Sequence, residues 1–446
     1  MHSRNPYRTP PDFTALAESY EPLKPYLITT AAGVTIDFKN DAAQRRLTEA
    51  LLHRDFNISL TLPDDRLCPP VPNRLNYILW LHDVLEAMFL AEPERHVKTV
   101  RGVDIGTGAS VIYPLLGCRS VPNWEFVATD IDEKSLQYAR INVQQNHLDG
   151  RITIMKSNPS DPIFHCLEGD SHSEPFDFTM CNPPFYSSKE DVVRSAASKE
   201  FQPNAICTGA DVEMITSGGE SAFVRQMVRE SLGCRARCRW FTSMLGKMSS
   251  LTEIIALLRE QHIDNYACTE FVQGQTRRWA IAWSFGDVRL SDSLARIPTP
   301  AIQDLMPVRN TLQQPYPTAT IEQLASTLST TLASVEEISV RSLSPLNHSI
   351  AATDVVVTAV RDTWSRAARR KKPNADAMQS DAPVELSAAL LCRVTCVEQN
   401  EARSKKRRDE GMFLEFNWVK GNNRALFESF TSHVGRKVSA GLACSD

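Results

Sequence analysis

The sequence has 446 residues, of which 42% are hydrophobic and 23% are charged, and its net charge of −4 at pH 7 excludes a generally basic nucleic-acid coat protein. It is long enough for two or three domains, contains no apolar run of about 18 residues that would cross a membrane, and lacks the apolar segment of a secretory signal. Its 11 cysteines include no C-x-x-C pair and no histidine at ligand spacing, so we expect reduced thiols and no metal site.

The first 40 residues are predicted to form a basic, proline-rich arm in which cations alternate with aromatic residues. These residues are Arg4, Tyr7, Arg8, Phe13, Tyr20 and Lys24. An RNA-contacting arm would use the cations for phosphates and the rings for bases, whereas an inert surface arm requires neither contact. The residues alone favour the inert surface arm.

Two helices follow, each indicated by apolar residues at helical spacing. The first is predicted over Asp41–Phe56, with Asn40 or Asp41 as its N-cap. The second is predicted over Leu75–Leu90, with Arg74 immediately before it.

Strands and helices then alternate from residue 99 to residue 285. Strands are predicted at 99–105, 124–129, 151–155, 176–181, 238–243, 266–272 and 279–285, and helices at 133–146, 220–231 and 251–261. This alternation is typical of a doubly wound parallel sheet, in which ligands bind at the carboxyl ends of the strands. The last two strands suit a hairpin at the sheet edge. The polar interval 186–217 is predicted to be a functional or disordered loop.

The remainder of the chain is predicted to hold a linker and a small α+β domain. The linker, at 288–350, is rich in proline, serine and threonine. The domain, at 351–440, contains three strand-like runs, a final helix and two basic runs, at 369–372 and 403–408.

A glycine-rich turn follows the first strand of the alternating region. Asp104 precedes Gly106 and Gly108, which would let the backbone approach a ligand closely. Asp130 ends the second strand, where its carboxylate would accept both hydroxyls of a ribose. Val111 stands where dinucleotide sites have a third glycine, which favours S-adenosylmethionine because this cofactor has no pyrophosphate.

The fourth strand ends in a rigid corner, Asn182-Pro183-Pro184-Phe185. The two prolines stop the strand and restrict the backbone. An adenine N6 amine could donate hydrogen bonds to the Asn182 side-chain oxygen and the Pro183 carbonyl, while an aromatic ring stacks on the flipped base. Phe185 is the first choice for stacking and Tyr186 the second. A strand-terminating turn without catalytic function is the alternative.

Five strings resemble the methyltransferase-like protein 16 family, which methylates adenine N6 in U6 small nuclear RNA and has a bacterial ribosomal-RNA branch. They lie at 72–77, 104–117, 180–185, 242–247 and 276–285. The resemblance implies an α/β, class I (Rossmann-like) S-adenosylmethionine-dependent methyltransferase domain over 41–287. A further string, 416–426, resembles the kinase-associated-like RNA-binding domain of longer members.

The resemblance also implies roles for individual residues. The predicted cofactor-binding residues are Arg74, Asp104, Gly106, Gly108, Ser110, Asp130 and Asn182, and the predicted catalytic residues are Asn182, Pro183, Pro184 and Phe185. The predicted RNA-binding residues are Arg4, Arg8, Tyr186, Lys247, Arg277, Arg278, Arg369, Arg370, Lys405, Lys406, Arg407 and Arg408. The two basic runs alternatively serve nuclear import or form a solvated face.

The leading hypothesis is a monomeric, nuclear and partly cytoplasmic enzyme that uses S-adenosylmethionine to methylate an adenosine of structured RNA, with U6 small nuclear RNA as the target. Ribosomal or other structured RNA is the first alternative. Protein glutamine methylation shares the same corner, and a non-catalytic RNA-binding splicing factor shares the same fold. The basic regions argue against glutamine methylation, and the intact glycine turn argues against an inactive site.

Overall fold

The computed structural model describes residues 1–31, 33–168, 174–197, 210–274, 276–343, 353–365, 368, 388–399 and 411–444. The chain divides into two compact units. The first comprises Met1–Leu85, Glu94–Gly286 and Leu294–Pro307, and the second comprises Glu86–Pro93, Asp287–Ser293 and Val308–Asp446.

The first 40 residues are a packed part of the first unit and not the surface arm that the sequence predicts. They contain helix α1 (Phe13–Ser19) and the antiparallel strands β1 (Leu27–Thr30) and β2 (Gly33–Ile36). Tyr7, Phe13 and Leu23 are buried, and the Tyr7 hydroxyl donates a hydrogen bond to Asp55. Burial of these apolar side chains holds the segment down, so the rings of Tyr7 and Phe13 do not serve as base-stacking platforms.

A seven-stranded sheet forms the centre of the first unit. Its strands are β3 (Val100–Ile105), β4 (Trp124–Asp130), β5 (Ile152–Lys156), β6 (Phe176–Cys181), β7 (Cys238–Leu245), β8 (Tyr266–Gln273) and β9 (Thr276–Trp283). They are ordered β5-β4-β3-β6-β7-β9-β8. Strands β3 to β7 pair in parallel, whereas β9 pairs antiparallel with both β7 and β8. The predicted doubly wound sheet with a hairpin edge is confirmed.

Helices connect and cover these strands. They are α2 (Asp41–Phe56), α3 (Val71–Phe89), α4 (Ile112–Ser120), α5 (Glu133–Gln145), α6 (Lys189–Ala197), α7 (Asp211–Met214), α8 (Gly219–Ser231) and α9 (Met248–Glu260). Helix α2 has the predicted bounds, and its N-cap Asn40 accepts a hydrogen bond from the Ala43 amide. Helix α3 begins earlier than predicted because Pro72 occupies its first turn, where a missing N–H costs nothing.

The second unit is an α+β domain built on a separate antiparallel sheet. Its elements are β10 (Thr311–Tyr316), α11 (Ile321–Ala333), β11 (Ile338–Ser342), β12 (Asp354–Ala359), β13 (Leu390–Gln399), β14 (Gly411–Lys420) and α12 (Arg424–Ala443), and the short helix α10 (Asp292–Ala295) precedes them. The strand order is β10-β14-β13-β12-β11. Phe416, Phe427 and Phe430 lie in its core, packed with the buried face of α11.

The linker predicted for 288–350 is therefore wrong for the described residues, because β10, α11 and β11 are regular elements of the second unit. Leu324, Leu328 and Leu332 recur every four residues and are buried, although serines and threonines surround them. Pro315 fits within β10 because that strand lies at the sheet edge.

Candidate active site

The glycine turn joins β3 to α4 as predicted. Gly106 and Gly108 have φ values of +70° and +65°, which residues with a side chain rarely adopt. Because β3 and β4 are parallel neighbours, Asp130 at the end of β4 lies beside this turn. One Asp130 oxygen accepts a hydrogen bond from the Gly108 amide at 2.8 Å, and the other accepts one from the Asp132 amide at 2.9 Å. These bonds fix the direction of the carboxylate.

A cavity of about 360 Å³ lies at the carboxyl ends of these strands. Its size lies within the range of small-molecule sites. Its lining includes most of the predicted cofactor-binding residues, namely Arg74, Gly106, Gly108, Ser110, Asp130 and Asn182. Residues distant in the sequence are thus brought to one site by the parallel sheet.

Arg74 is the cation of this cavity. Its side chain is buried in the first turn of α3, and its Nη1 donates a hydrogen bond to the Tyr113 hydroxyl at 3.2 Å. The Tyr113 hydroxyl in turn donates to the Met244 sulfur. Since a guanidinium carries five N–H donors, Arg74 retains donors for a carboxylate ligand such as that of a methionine group.

Asp104 lies beneath the turn, and its side chain is not part of the cavity wall. It is only 1% exposed, and neither of its carboxylate oxygens accepts a hydrogen bond from the residues that the structure describes. Burial raises the pKa of Asp104 to about 7, and the negative charge of Asp130 adds to this increase. Asp104 is therefore not brought to the cavity wall with the other predicted cofactor-binding residues.

The Asn182 corner forms another part of the cavity wall. Asn182, Pro183 and Pro184 line the same cavity, directly after β6. The Asn182 Oδ1 atom is buried and receives no hydrogen bond from any described residue. A buried carbonyl oxygen without a donor is costly unless a ligand supplies one. This acceptor suits the N–H of an amine that enters beside the cofactor.

Phe185 and Tyr186 follow the corner but do not line the cavity. The Phe185 ring is half-buried, with the Arg278 guanidinium carbon 5.4 Å from its centroid. The Tyr186 amide donates to the Met214 carbonyl, and the Tyr186 carbonyl accepts from the Thr216 amide, both at 3.0 Å. The backbone around the predicted stacking residues is thus held on both sides.

The predicted RNA-binding cations have different environments. Arg278 lies over Phe185. Lys247 is exposed and follows Gly246, whose Cα faces the Phe185 ring, and its Nζ forms an ion pair with Asp191 at 3.8 Å. Arg277 forms an ion pair with Glu270 instead.

The two N-terminal cations are both exposed, yet each has a partner within the protein. Arg4 pairs with Asp83, and Arg8 donates a hydrogen bond to the Ser3 carbonyl. The predicted contacts Arg369, Arg370, Lys405, Lys406, Arg407 and Arg408 lie outside the described residues.

Sequence reasoning missed several residues of the site. Tyr113, Ile131, Glu213, Thr216 and Phe223 also line the cavity. Glu213 and Thr216 fall in the interval predicted as a loop, and no motif marks them. Glu213 and Thr216 line the cavity because the fold brings this interval close to the glycine turn.

Within the described ranges, no group of three histidine, cysteine or acidic side chains is arranged to hold a metal ion. In the same ranges, no helix has both the length and the apolar character needed to cross a membrane.

Comparison with known proteins identifies the family. A family model described as RNA methyltransferase matches residues 1–287. The chain belongs to this RNA methyltransferase family.

Individual relatives of this RNA methyltransferase family agree. The U6 small nuclear RNA (adenine-(43)-N(6))-methyltransferase of Schizosaccharomyces pombe is 34% identical, over 90% of this chain and 95% of the relative. The hMettl16 catalytic domain, solved in complex with MAT2A 3'UTR hairpin 1, is 40% identical, with a TM-score of 0.56 over 64% of this chain and 95% of that one. The N-terminal domain of human METTL16, solved in complex with SAH, is 38% identical, with a TM-score of 0.53 over 64% of this chain and 99% of that one.

The chain is thus an RNA adenine-N6 methyltransferase that uses S-adenosylmethionine. The residues of the cavity fit this cofactor. Arg74 offers donors for its carboxylate, Asp130 offers acceptors for its ribose, and the left-handed glycines let it approach the backbone.

Proposed function

We propose that this enzyme methylates the N6 atom of an adenosine in U6 small nuclear RNA, and that it acts in the nucleus. The unpartnered, buried Asn182 Oδ1 atom beside the cofactor cavity carries the adenine assignment. The match to the Schizosaccharomyces pombe U6 enzyme supports the target, because it extends over 90% of this chain and therefore includes part of the second unit.

The chemistry follows from the groups at the corner. The N6 amine of adenine is a weak nucleophile because its lone pair is delocalised into the ring. Hydrogen bonds from this amine to Asn182 Oδ1 and to the Pro183 carbonyl would hold the nitrogen in position and favour a less planar geometry. When bound, S-adenosylmethionine supplies an activated methyl group. No histidine base is needed for this arrangement.

The target base must leave its helix to reach the corner. Phe185 would stack on the flipped base, and Arg278 above its ring would add a cation for the adjoining phosphate. Exposed Lys247, whose Nζ forms a 3.8 Å ion pair with Asp191, would add a second cation near the same corner. Together these groups suit an adenosine presented by folded RNA.

The target is tested by incubating the purified full-length protein with cofactor carrying a labelled methyl group, total RNA and total protein. Label is expected in N6-methyladenosine of U6 small nuclear RNA. Label in N6-methyladenosine of ribosomal RNA would show that the enzyme methylates adenine N6 in a different RNA. Label in protein would overturn the proposal. Fractionation of cells that express the tagged protein tests the nuclear location, which a purely cytoplasmic signal would contradict.

The catalytic role of Asn182 predicts a separation of binding from transfer. Asn182→Ala is expected to retain RNA affinity while methyl transfer falls by about a hundredfold or more, as when one preorganised polar group is removed from an active site. RNA affinity is measured by filter binding, and transfer by release of labelled nucleoside. Loss of RNA affinity along with transfer would show that Asn182 has another role.

A further inference from the structure

Glu213 lines the cofactor cavity, and no sequence motif marks it. It lies in α7, within the polar interval that follows the Asn182 corner. Its Oε2 atom accepts hydrogen bonds from the Leu67 and Ala210 amides, each at 3.0 Å. These two bonds fix the carboxylate group.

The second oxygen of Glu213 is directed toward the glycine turn. Its Oε1 atom lies 3.6 Å from the position that a Cβ atom on Gly108 would occupy. No described residue donates a hydrogen bond to Oε1. The Gly108 amide itself donates to Asp130. Two acidic side chains, from β4 and from α7, therefore flank one glycine of the cofactor turn.

The charges around Glu213 and Asp130 favour the binding of a group that donates a hydrogen bond to them. Burial raises the pKa of both Glu213 and Asp130, and the negative charge of Asp130 adds to the increase at Glu213. Arg66, whose positive charge acts against the increase at Glu213, is already engaged in ion pairs with Asp65 and Asp132. A neutral hydroxyl can stabilise such a carboxylate by donating a hydrogen bond to it.

We propose that Glu213 is a second cofactor-binding carboxylate, whose Oε1 atom accepts a hydrogen bond from a ribose hydroxyl of the cofactor. Asp130 approaches the ribose from the β4 side, and Glu213 approaches it from α7. The inference rests on the cofactor of the proposed function and is independent of which RNA is the target.

The position of α7 gives this contact a second consequence. Met214 and Thr216, which follow Glu213 closely, hold the backbone of Tyr186 through the two hydrogen bonds at 3.0 Å. The segment that contacts the cofactor is therefore the same segment that supports the aromatic side of the corner. Bound cofactor would stabilise α7 and, through it, the backbone next to Phe185.

The test measures cofactor affinity directly, by isothermal titration calorimetry of S-adenosylhomocysteine into the full-length protein without RNA. Glu213→Gln is expected to raise Kd about tenfold, as expected for the loss of a charge-assisted hydrogen bond. This variant keeps a carbonyl oxygen for the Leu67 and Ala210 amides. Asp211→Asn is the matched control, since it removes a carboxylate from the same helix at an exposed position outside the cavity wall, and its Kd is expected to stay unchanged.

Ribose analogues test which group Glu213 contacts. The 2′-deoxy and 3′-deoxy forms of S-adenosylhomocysteine are expected to bind wild type more weakly, and Glu213→Gln is expected to abolish this loss for one of them. Thermal unfolding shows that each variant is folded. Wild-type affinity in folded Glu213→Gln, equal weakening in Asp211→Asn, or unchanged discrimination against both analogues would each overturn the inference. Failure of U6 methylation by the wild type would count against the target alone.

Discussion

At the scale of single residues, burial of the Asp104 carboxylate beside the cofactor turn is costly in free energy when the group is ionised. Asp104 is buried under the glycine turn, and no described residue donates a hydrogen bond to its oxygens. Burial raises its pKa to about 7. When ionised, Asp104 is a desolvated charge that destabilises the protein without ligand, and the nearby Thr107 hydroxyl and Arg74 guanidinium offset this effect only in part. A cationic cofactor above it would compensate for that charge.

This arrangement predicts how stability depends on pH. The folded protein keeps a proton on Asp104 up to about pH 7, whereas the unfolded chain loses it near the ordinary value of 3.8. The contribution of Asp104 to the free energy of unfolding therefore falls as pH rises between these values. Relative to wild type, Asp104→Asn is expected to show a melting temperature that increases from pH 5 to about pH 7 and then levels off up to pH 8.

The measurement is differential scanning fluorimetry without cofactor across that pH range. The exposed Asp149→Asn substitution makes the same chemical change in water, and its difference from wild type is expected to stay constant. If the difference for Asp104→Asn were also constant, the carboxyl of Asp104 would not titrate in this range.

The site residues that the sequence predicts lie in recognisable local patterns, whereas those it does not predict depend on contacts between residues remote in the chain. Asp130 and Asn182 each end a strand of a parallel sheet, so their place at the carboxyl edge follows from local pattern. Glu213 reaches the site through its hydrogen bond with Leu67 and its approach to Gly108, both remote in the chain. Periodicity within the interval around Glu213 contains no information about such contacts.

At the scale of elements, the turn between β7 and α9 supports the aromatic part of the corner. The buried carboxylate of Glu220, at the start of α8, accepts hydrogen bonds from the Gly246 and Lys247 amides at 2.6 and 2.9 Å. It also accepts one from the Ser250 hydroxyl at 2.7 Å. Three donors fix this turn, and the Gly246 Cα then faces the Phe185 ring.

Adding a methyl group to this turn is expected to displace Phe185. In Gly246→Ala the new Cβ would lie 2.9 Å from Phe185 Cδ1 and 3.1 Å from Glu220 Oε2, closer than side chains ordinarily pack. Methyl transfer is expected to fall by about tenfold or more, because small displacements of positioning groups are costly in catalysis. The Kd for S-adenosylhomocysteine is expected to stay unchanged.

Transfer is measured on RNA by release of labelled nucleoside, and cofactor affinity by calorimetry. Gly150→Ala is the control, since a Cβ at Gly150 would meet nothing within 4 Å. Unaltered methyl transfer in Gly246→Ala would show that catalysis does not depend on the observed position of the Phe185 ring.

The elements also show why composition misled the prediction of a linker. Proline, serine and threonine are typical of unstructured connections, yet α11 begins with a capping box between Thr320 and Gln323. Its leucines form one apolar stripe, which the surrounding hydroxyl side chains obscure. Burial against the antiparallel sheet then outweighs the weak intrinsic helix preference of threonine.

At the scale of the whole molecule, the enzyme combines a catalytic unit with a second α+β unit. The net charge is −4, so affinity for RNA must come from local basic groups. Arg278 and Lys247 lie near the corner, and the run Arg403–Arg408 is the longest basic run in the C-terminal region of the sequence.

Deletion of Arg403–Arg408 is expected to weaken binding of full-length U6 RNA and to flatten its dependence on salt. The slope of log affinity against log salt is expected to fall by about 0.7 for each phosphate of single-stranded RNA that the protein no longer neutralises. Filter binding from 50 to 200 mM salt measures both quantities. Deletion of Asn374–Gln379, which is equally long and contains no cation, is the control. Unchanged affinity after removal of the basic run would leave nuclear import as its function.

The backbone pairing of Tyr186 with Ile215 has one more consequence. This pairing holds the backbone of Tyr186 and that of Ile215 at a fixed separation beside the corner. A substitution that disturbs either of these paired residues is therefore expected to move the backbone next to Phe185.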